Sequence, residues 1–193
     1  GDYEQLARDA LDEGTFGYFA GGSGDEQTLR YNLEAFDRWR LRPRMLVDVA
    51  AITTATSVLG QKVSMPILAS PVAHLRMAHP DGELATARAA RAKQHLMVLS
   101  TVTTTSVEEV AEARGEPMWY QLYPTSRWEI TEKILRRAEK AGCPAVVLTV
   151  DLPVTSNWLS LTRFSKRDRR DCTQCHANQD SDQSQNTAFA RKP

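Results

Sequence analysis

Met118-Trp119-Tyr120-Gln121-Leu122, the stretch Arg127 to Ala141, and Ala145-Val146-Val147-Leu148-Thr149 together decide the fold of this chain. The first and third are short, nearly continuous apolar runs rich in aromatic and β-branched residues, as buried strands are. Between them Ile130, Ile134, Leu135 and Ala138 recur at helical spacing, and Gly142 stops the pattern. Strand, helix, strand over so few residues reads as a βα unit with parallel strands.

The same texture extends upstream. Pro66-Ile67-Leu68-Ala69-Ser70 and Leu96-Met97-Val98-Leu99-Ser100 read as two earlier strands. Asp81 to Ala92 and Ser106 to Ala113 read as the helices that follow them. Ser106 with Glu109 three residues on is a capping box. Each strand closes on a polar residue: Ser70, Ser100, Gln121 and Thr149. In (β/α) barrels the functional end is the C-terminal end of the strands, so these four small polar groups predict one wall of a pocket for a polar ligand.

Residues 1–65 read as a leader. Tyr3 to Asp12 is an amphipathic helix ended by Gly14, and Phe16 to Ala20 is a second short apolar piece. Gly21-Gly22-Ser23-Gly24-Asp25-Glu26 is a turn, with Ser23 or Asp25 as cap of a helix from Glu26 to Ala35. Arg38 to Val49 is extended and basic, because Pro43 bars a helix. Thr53 to Val63 reads as a hairpin around Gly60. Residues 66–160 carry the βα units, and residues 161–193 are a polar, basic loop and mobile tail too poor in apolar groups to add to a core.

The fold class is therefore α/β, a (β/α)8 barrel of which this chain supplies the leader and roughly the first four units. A complete barrel takes about 250 residues, whereas this chain has 193. Half a barrel leaves sheet edges open. The expectation is that the C-terminal half comes on a second chain or was lost.

Charge narrows the function. Lys+Arg and Asp+Glu are 24 each, and 41% of residues are hydrophobic. A chain of zero net charge lacks the cationic surplus of a protein that coats nucleic acid or an anionic membrane, so no nucleic-acid partner is expected. No apolar run is long enough to span a bilayer. No export signal is visible, which gives a cytoplasmic expectation with membrane association left open. Cys143, Cys172 and Cys175 are an odd number and predict no disulfide framework.

Several segments, in order, resemble the FMN-dependent α-hydroxy-acid oxidase/dehydrogenase family. They are Tyr18-Phe19-Ala20-Gly21-Gly22, Arg42-Pro43-Arg44-Met45-Leu46, Met65 to Pro71, His79-Pro80-Asp81-Gly82-Glu83, Trp119 to Tyr123, and Leu148 to Pro153. The resemblance implies FMN across the C-terminal mouth of the barrel. It also implies oxidation of a small L-2-hydroxy acid to a 2-oxo acid, with hydride passing to flavin N5. By position it assigns Pro71, Val72 and Ala73 to the loop facing flavin N5. It assigns Ser100, Gln121 and Thr149 to the flavin edge, and Tyr18 and Tyr123 to the substrate. The family's catalytic His, its neighbouring Arg, the Lys near flavin N1 and the phosphate-binding segments belong to the second half, so this chain alone is expected to be inactive. The family also suggests a homo-oligomer.

One departure stands out. Trp158, in Asn157-Trp158-Leu159, occupies the place of a family Arg. Loss of that guanidinium removes a bidentate carboxylate partner and suggests packing over a bulkier or aromatic substrate group.

Blander readings accompany these. Ser100 and Thr149 are the kind of residue that simply ends a strand, and Asp151 reads as structural. His74, His79 and His95 read as loop, helix-start or packing residues. Cys172-Thr173-Gln174-Cys175-His176 has the attachment pattern of c-type haem, which makes an electron-transfer module the first rival. The second rival is a non-catalytic half-barrel binding module. No metal site is expected, since a zinc site lacks an evident fourth ligand.

Overall fold

The computed structural model describes residues 2–151 and 157–165. Its described residues fall into two units, 53–151 and 2–52 with 157–165.

The larger unit is built on a parallel sheet. Strands β3 (Val98–Leu99), β4 (Trp119–Leu122) and β5 (Val146–Leu148) lie in that order. Val98 pairs with Trp119, and Gln121 pairs with Val147. The strand expected over Pro66 to Ser70 is reduced to one parallel bridge, Ala69 to Met97. The Ala69 N–H donates to Leu96 O at 3.0 Å, and Ala69 O accepts from the Val98 N–H at 3.0 Å. Pro66 and Pro71 flank the bridge and have no N–H to offer a ladder, and edge positions are where such residues are tolerated.

Helices α4 (Gly82–Ala92), α5 (Val107–Arg114) and α6 (Trp128–Lys140) cover one face. The strand period of two decides which side chains meet them. Met97, Leu99, Tyr120 and Leu122 face the helices and form one core with Ala87, Val110, Ile134 and Ala138. Burial of each larger aliphatic side chain contributes about 1.5–3 kcal/mol. Leu96, Val98 and Trp119 face the other way and pack with Val63. That valine belongs to a hairpin of β1 (Thr56–Val58) and β2 (Gln61–Val63). Leu59 and Gly60 turn it, with φ of 49° and 78°, the pair of left-handed residues of a type I′ turn. The Trp119 indole N–H donates to Gln61 Oε1 at 2.8 Å and ties the hairpin to the start of β4.

In the smaller unit α1 (Asp2–Ala10) ends before Gly14, contrary to expectation. Gly14 lies inside α2 (Glu13–Ala20), where the Asp12 carboxylate accepts from the Thr15 N–H at 3.0 Å. The side-chain cap at position 12 starts the new helix, and this outweighs the glycine's low propensity. Helix α3 (Gln27–Glu34) begins after Glu26, which has φ 59°; neither Ser23 nor Asp25 is its cap residue. Gly21 closes α2, and a Cβ there would lie 2.5 Å from Gly17 O, so only glycine fits. Helix α7 (Leu159–Ser165) completes the unit.

Candidate functional site

The sheet ladder stops at Leu99 on β3, yet Ser100, Thr101, Thr103, Thr104 and Thr105 are all buried. Backbone outside a ladder needs other partners once it is out of water. Here side chains supply them. Gln121, on β4 and 4% exposed, is the centre. Its Oε1 accepts from the Thr101 N–H at 3.1 Å and from the Ser100 hydroxyl at 3.4 Å. Its Nε2 donates to Thr149 Oγ1 at 2.8 Å. Ser100, Gln121 and Thr149 thus form one row across the C-terminal ends of three neighbouring strands.

The polarity of that row follows from its partners. A backbone N–H can only donate, so Thr101 fixes Oε1 inward and Nε2 toward Thr149. Ser100 Oγ accepts from the Val102 N–H at 3.1 Å while its own proton goes to Gln121. Thr149 Oγ1 accepts from Gln121 and keeps its proton to donate. Within the row a second Nε2 proton and the Thr149 hydroxyl proton are not used. Neutral donors of this kind suit the polar edge of an uncharged heteroaromatic ring, which is the edge a flavin presents. Among the described residues no cluster of His, Cys, Asp or Glu has the makings of a metal site.

Two loops flank the row. Val72 is exposed, and Pro71 and Ala73 are half-buried. The loop that carries them is held by the His74 N–H, which donates to Val102 O at 3.1 Å. The Tyr123 N–H donates to Thr101 Oγ1 at 2.9 Å, so the half-buried Tyr123 leaves β4 from a fixed point. Ser70 stands exposed, outside the row; the expectation of four converging tips holds for three of them.

Sequence reasoning missed Glu83 and the threonine run as parts of this architecture. Glu83 is 1% exposed and accepts from the Thr104 N–H at 2.9 Å, the Thr104 hydroxyl at 2.6 Å and the Thr105 hydroxyl at 2.9 Å. Burial pulls its pKa upward, but those donors outweigh it and hold the carboxyl below its ordinary value. The signal in the sequence was the unusual run Thr103-Thr104-Thr105, whose donors need a common acceptor.

The smaller unit brings Tyr18 and Trp158 together. Their ring centroids lie 5.7 Å apart at 41°, and Phe19 meets Tyr18 edge-on at 5.1 Å. The segment carrying Trp158 is tied down on both sides: the Gly24 N–H donates to Asn157 O at 2.7 Å, and the Ser160 hydroxyl to Glu26 Oε1 at 2.7 Å. The Ser160 hydroxyl, then the Gly22 N–H, hold the Glu26 carboxyl below its ordinary pKa. Cys172, Cys175 and His176 lie outside the described residues. His79 starts a turn, its Nδ1 accepting from the Asp81 N–H at 3.1 Å.

Comparison with known proteins adds to this geometry. The sequence profile of the FMN-dependent dehydrogenase family matches residues 7–189. Human 2-hydroxyacid oxidase 1 is 49% identical over 163 residues, 84% of this chain and 44% of that protein. Glycolate oxidase 1 of Zea mays is 48% identical over 152 residues, covering 79% and 41%. The crystal structure of a mandelate oxidase superposes with a TM-score of 0.81 at 40% identity, covering 85% of this chain and 48% of that one. The chain thus spans less than half the length of these relatives.

Proposed function

We propose that this chain, which belongs to the FMN-dependent dehydrogenase family, supplies the flavin-edge half of a (β/α)8 barrel that oxidises a small L-2-hydroxy acid to a 2-oxo acid. The observation that carries the reading is the row Ser100–Gln121–Thr149, hydrogen-bonded across the C-terminal ends of three neighbouring strands. Bound there, FMN supplies the hydride acceptor.

The remaining roles fall to the chain's own groups. Gln121 Nε2 and the Thr149 hydroxyl donate to acceptors on the ring edge. Ser100 and the Thr101 N–H keep the Gln121 amide from rotating, so the donors are fixed before the ligand arrives, which lowers the ordering cost of binding. The backbone of Pro71, Val72 and Ala73 would line one side of the bound ring. The phenol of Tyr123 hydrogen-bonds the substrate without adding charge. In the smaller unit Trp158 supports the Tyr18 ring. The proton-accepting base comes from the second half of the barrel, on a continuation of this protein or on a partner chain, and the complete barrel works as a homo-oligomer.

The test is a titration of the chain with FMN, followed by quenching of flavin fluorescence. Saturable quenching is expected, weakened about tenfold in Gln121→Leu, the size of one lost hydrogen bond pair in a dry site. Supplying the second half should then yield 2-oxo acid from glycolate or mandelate. Absence of flavin binding by the completed barrel would overturn the reading.

A further inference from the structure

We propose that Glu83 is a positioning residue for the ligand-facing row: its buried carboxylate locks the loop after β3, and that loop holds the Gln121 amide in a single orientation. The hydrogen-bond argument stands on the structure alone, while its consequence for FMN rests on the functional reading above.

Strand pairing ends at Leu99 and Tyr120, so the ladder does not fix Ser100 to Thr105. Those residues are nevertheless buried, apart from a half-buried Val102. Their restraint comes from the His74 N–H, which donates to Val102 O, from Thr101 Oγ1, which donates to Gln121 O and accepts from the Tyr123 N–H, and from Glu83 in the first turn of α4, whose two carboxylate oxygens are engaged by Thr104 twice and Thr105 once. The Arg76 N–H adds a contact to Thr104 Oγ1 at 3.4 Å. Thr103 Oγ1 braces the same loop, donating to Thr105 O at 2.8 Å and accepting from the Thr105 N–H at 3.2 Å. At the other end of this short loop the Thr101 N–H meets Gln121 Oε1.

The chemistry at Glu83 is unusual for a residue kept only for stability. All three of its donors are neutral. A buried carboxylate without a cation is costly and is matched here only by hydrogen bonds. An apolar residue of similar size would pack against the loop, but would leave the Thr104 N–H and two hydroxyls without partners. The glycine before it has φ 44°, and a Cβ there would lie 2.7 Å from Arg76 Cγ. Position 82, directly before Glu83, thus takes a left-handed backbone that favours glycine. Removing the carboxylate frees the loop that carries the Ser100 hydroxyl and the Thr101 N–H, and the Gln121 amide gains the flipped orientation. That orientation would offer a ligand Oε1 in place of the Nε2 proton.

The experiment follows the side-chain NH2 of Gln121 by 15N NMR in the whole chain, assigned through its loss in Gln121→Glu, together with FMN titration. Glu83→Ala should raise hydrogen exchange of that NH2 about tenfold and weaken FMN to a similar degree, as expected for a partner lost from a buried network. Glu83→Gln keeps the length and one acceptor, and should fall between Ala and wild type. Arg88→Ala, on the same helix but paired with Asp81 at the surface, should leave both readouts unchanged. If Glu83→Ala does not fold, Thr105→Val removes one of the three donors and should still speed exchange. A merely structural role would lower the melting temperature and leave Gln121 exchange in the folded protein as it was; that result overturns the proposal. Wild-type protein that binds no FMN would sink the flavin reading, while the exchange measurement would still decide Glu83.

Discussion

Gln121 shows how far one residue constrains a site. An amide has two orientations of almost equal shape, and only its partners distinguish them. The Thr101 N–H makes the choice here, and with it the sign of the hydrogen bonds offered to a ligand. Cys143 is the contrasting case. It is half-buried against α6, and burial pushes its thiol up to about 11. The thiolate is the reactive form, and a raised pKa keeps it scarce at neutral pH. Alkylation of Cys143 by iodoacetamide should therefore be slow at pH 7.5, with a rate that climbs about tenfold per pH unit until near pH 11. A plateau by pH 9, read by peptide mass spectrometry, would contradict this environment.

At the scale of one element, helix α5 carries its own start signal. The Ser106 Oγ accepts from the Glu109 N–H at 3.3 Å, and Glu109 Oε2 accepts from the Ser106 N–H at 3.1 Å. Ser106→Ala should cost about 1 kcal/mol, a fall of about 3 °C in Tm by calorimetry. The Ser106 hydroxyl and N–H hold the Glu109 carboxyl below its ordinary pKa. A depressed carboxylate contributes stability that is fully present above its unfolded value and is lost as pH falls through its folded one. The gap between wild type and Ser106→Ala should therefore narrow below about pH 4. The capping box was legible in the sequence because both partners lie within one turn. The strand over Pro66 to Ser70 was legible only in part: its apolar run marks its place, but flanking prolines cut its ladder to a single bridge.

Among the described residues of the larger unit, the sheet ends on β5 with its apolar residues exposed. Val146, Val147 and Leu148 are 45%, 38% and 54% exposed. An open edge with apolar side chains is a template for association. The chain on its own should show concentration-dependent association by sedimentation velocity, reduced in Val147→Lys; a clean monomer at high concentration would mean that this edge is covered by other residues of the chain.

The amino-acid sequence by itself determined the order of βα units, the helix-facing core and the strand-end positions of Ser100, Gln121 and Thr149, because these depend on local periodicity and run length. Tertiary structure alone decided which tips join and how the Gln121 amide points. It also set Trp158 against Tyr18 and buried Glu83 under a threonine loop. Each of these depends on partners from distant parts of the chain, and hydrogen-bond direction and burial of a charge are set by what folding brings near, not by neighbours in sequence.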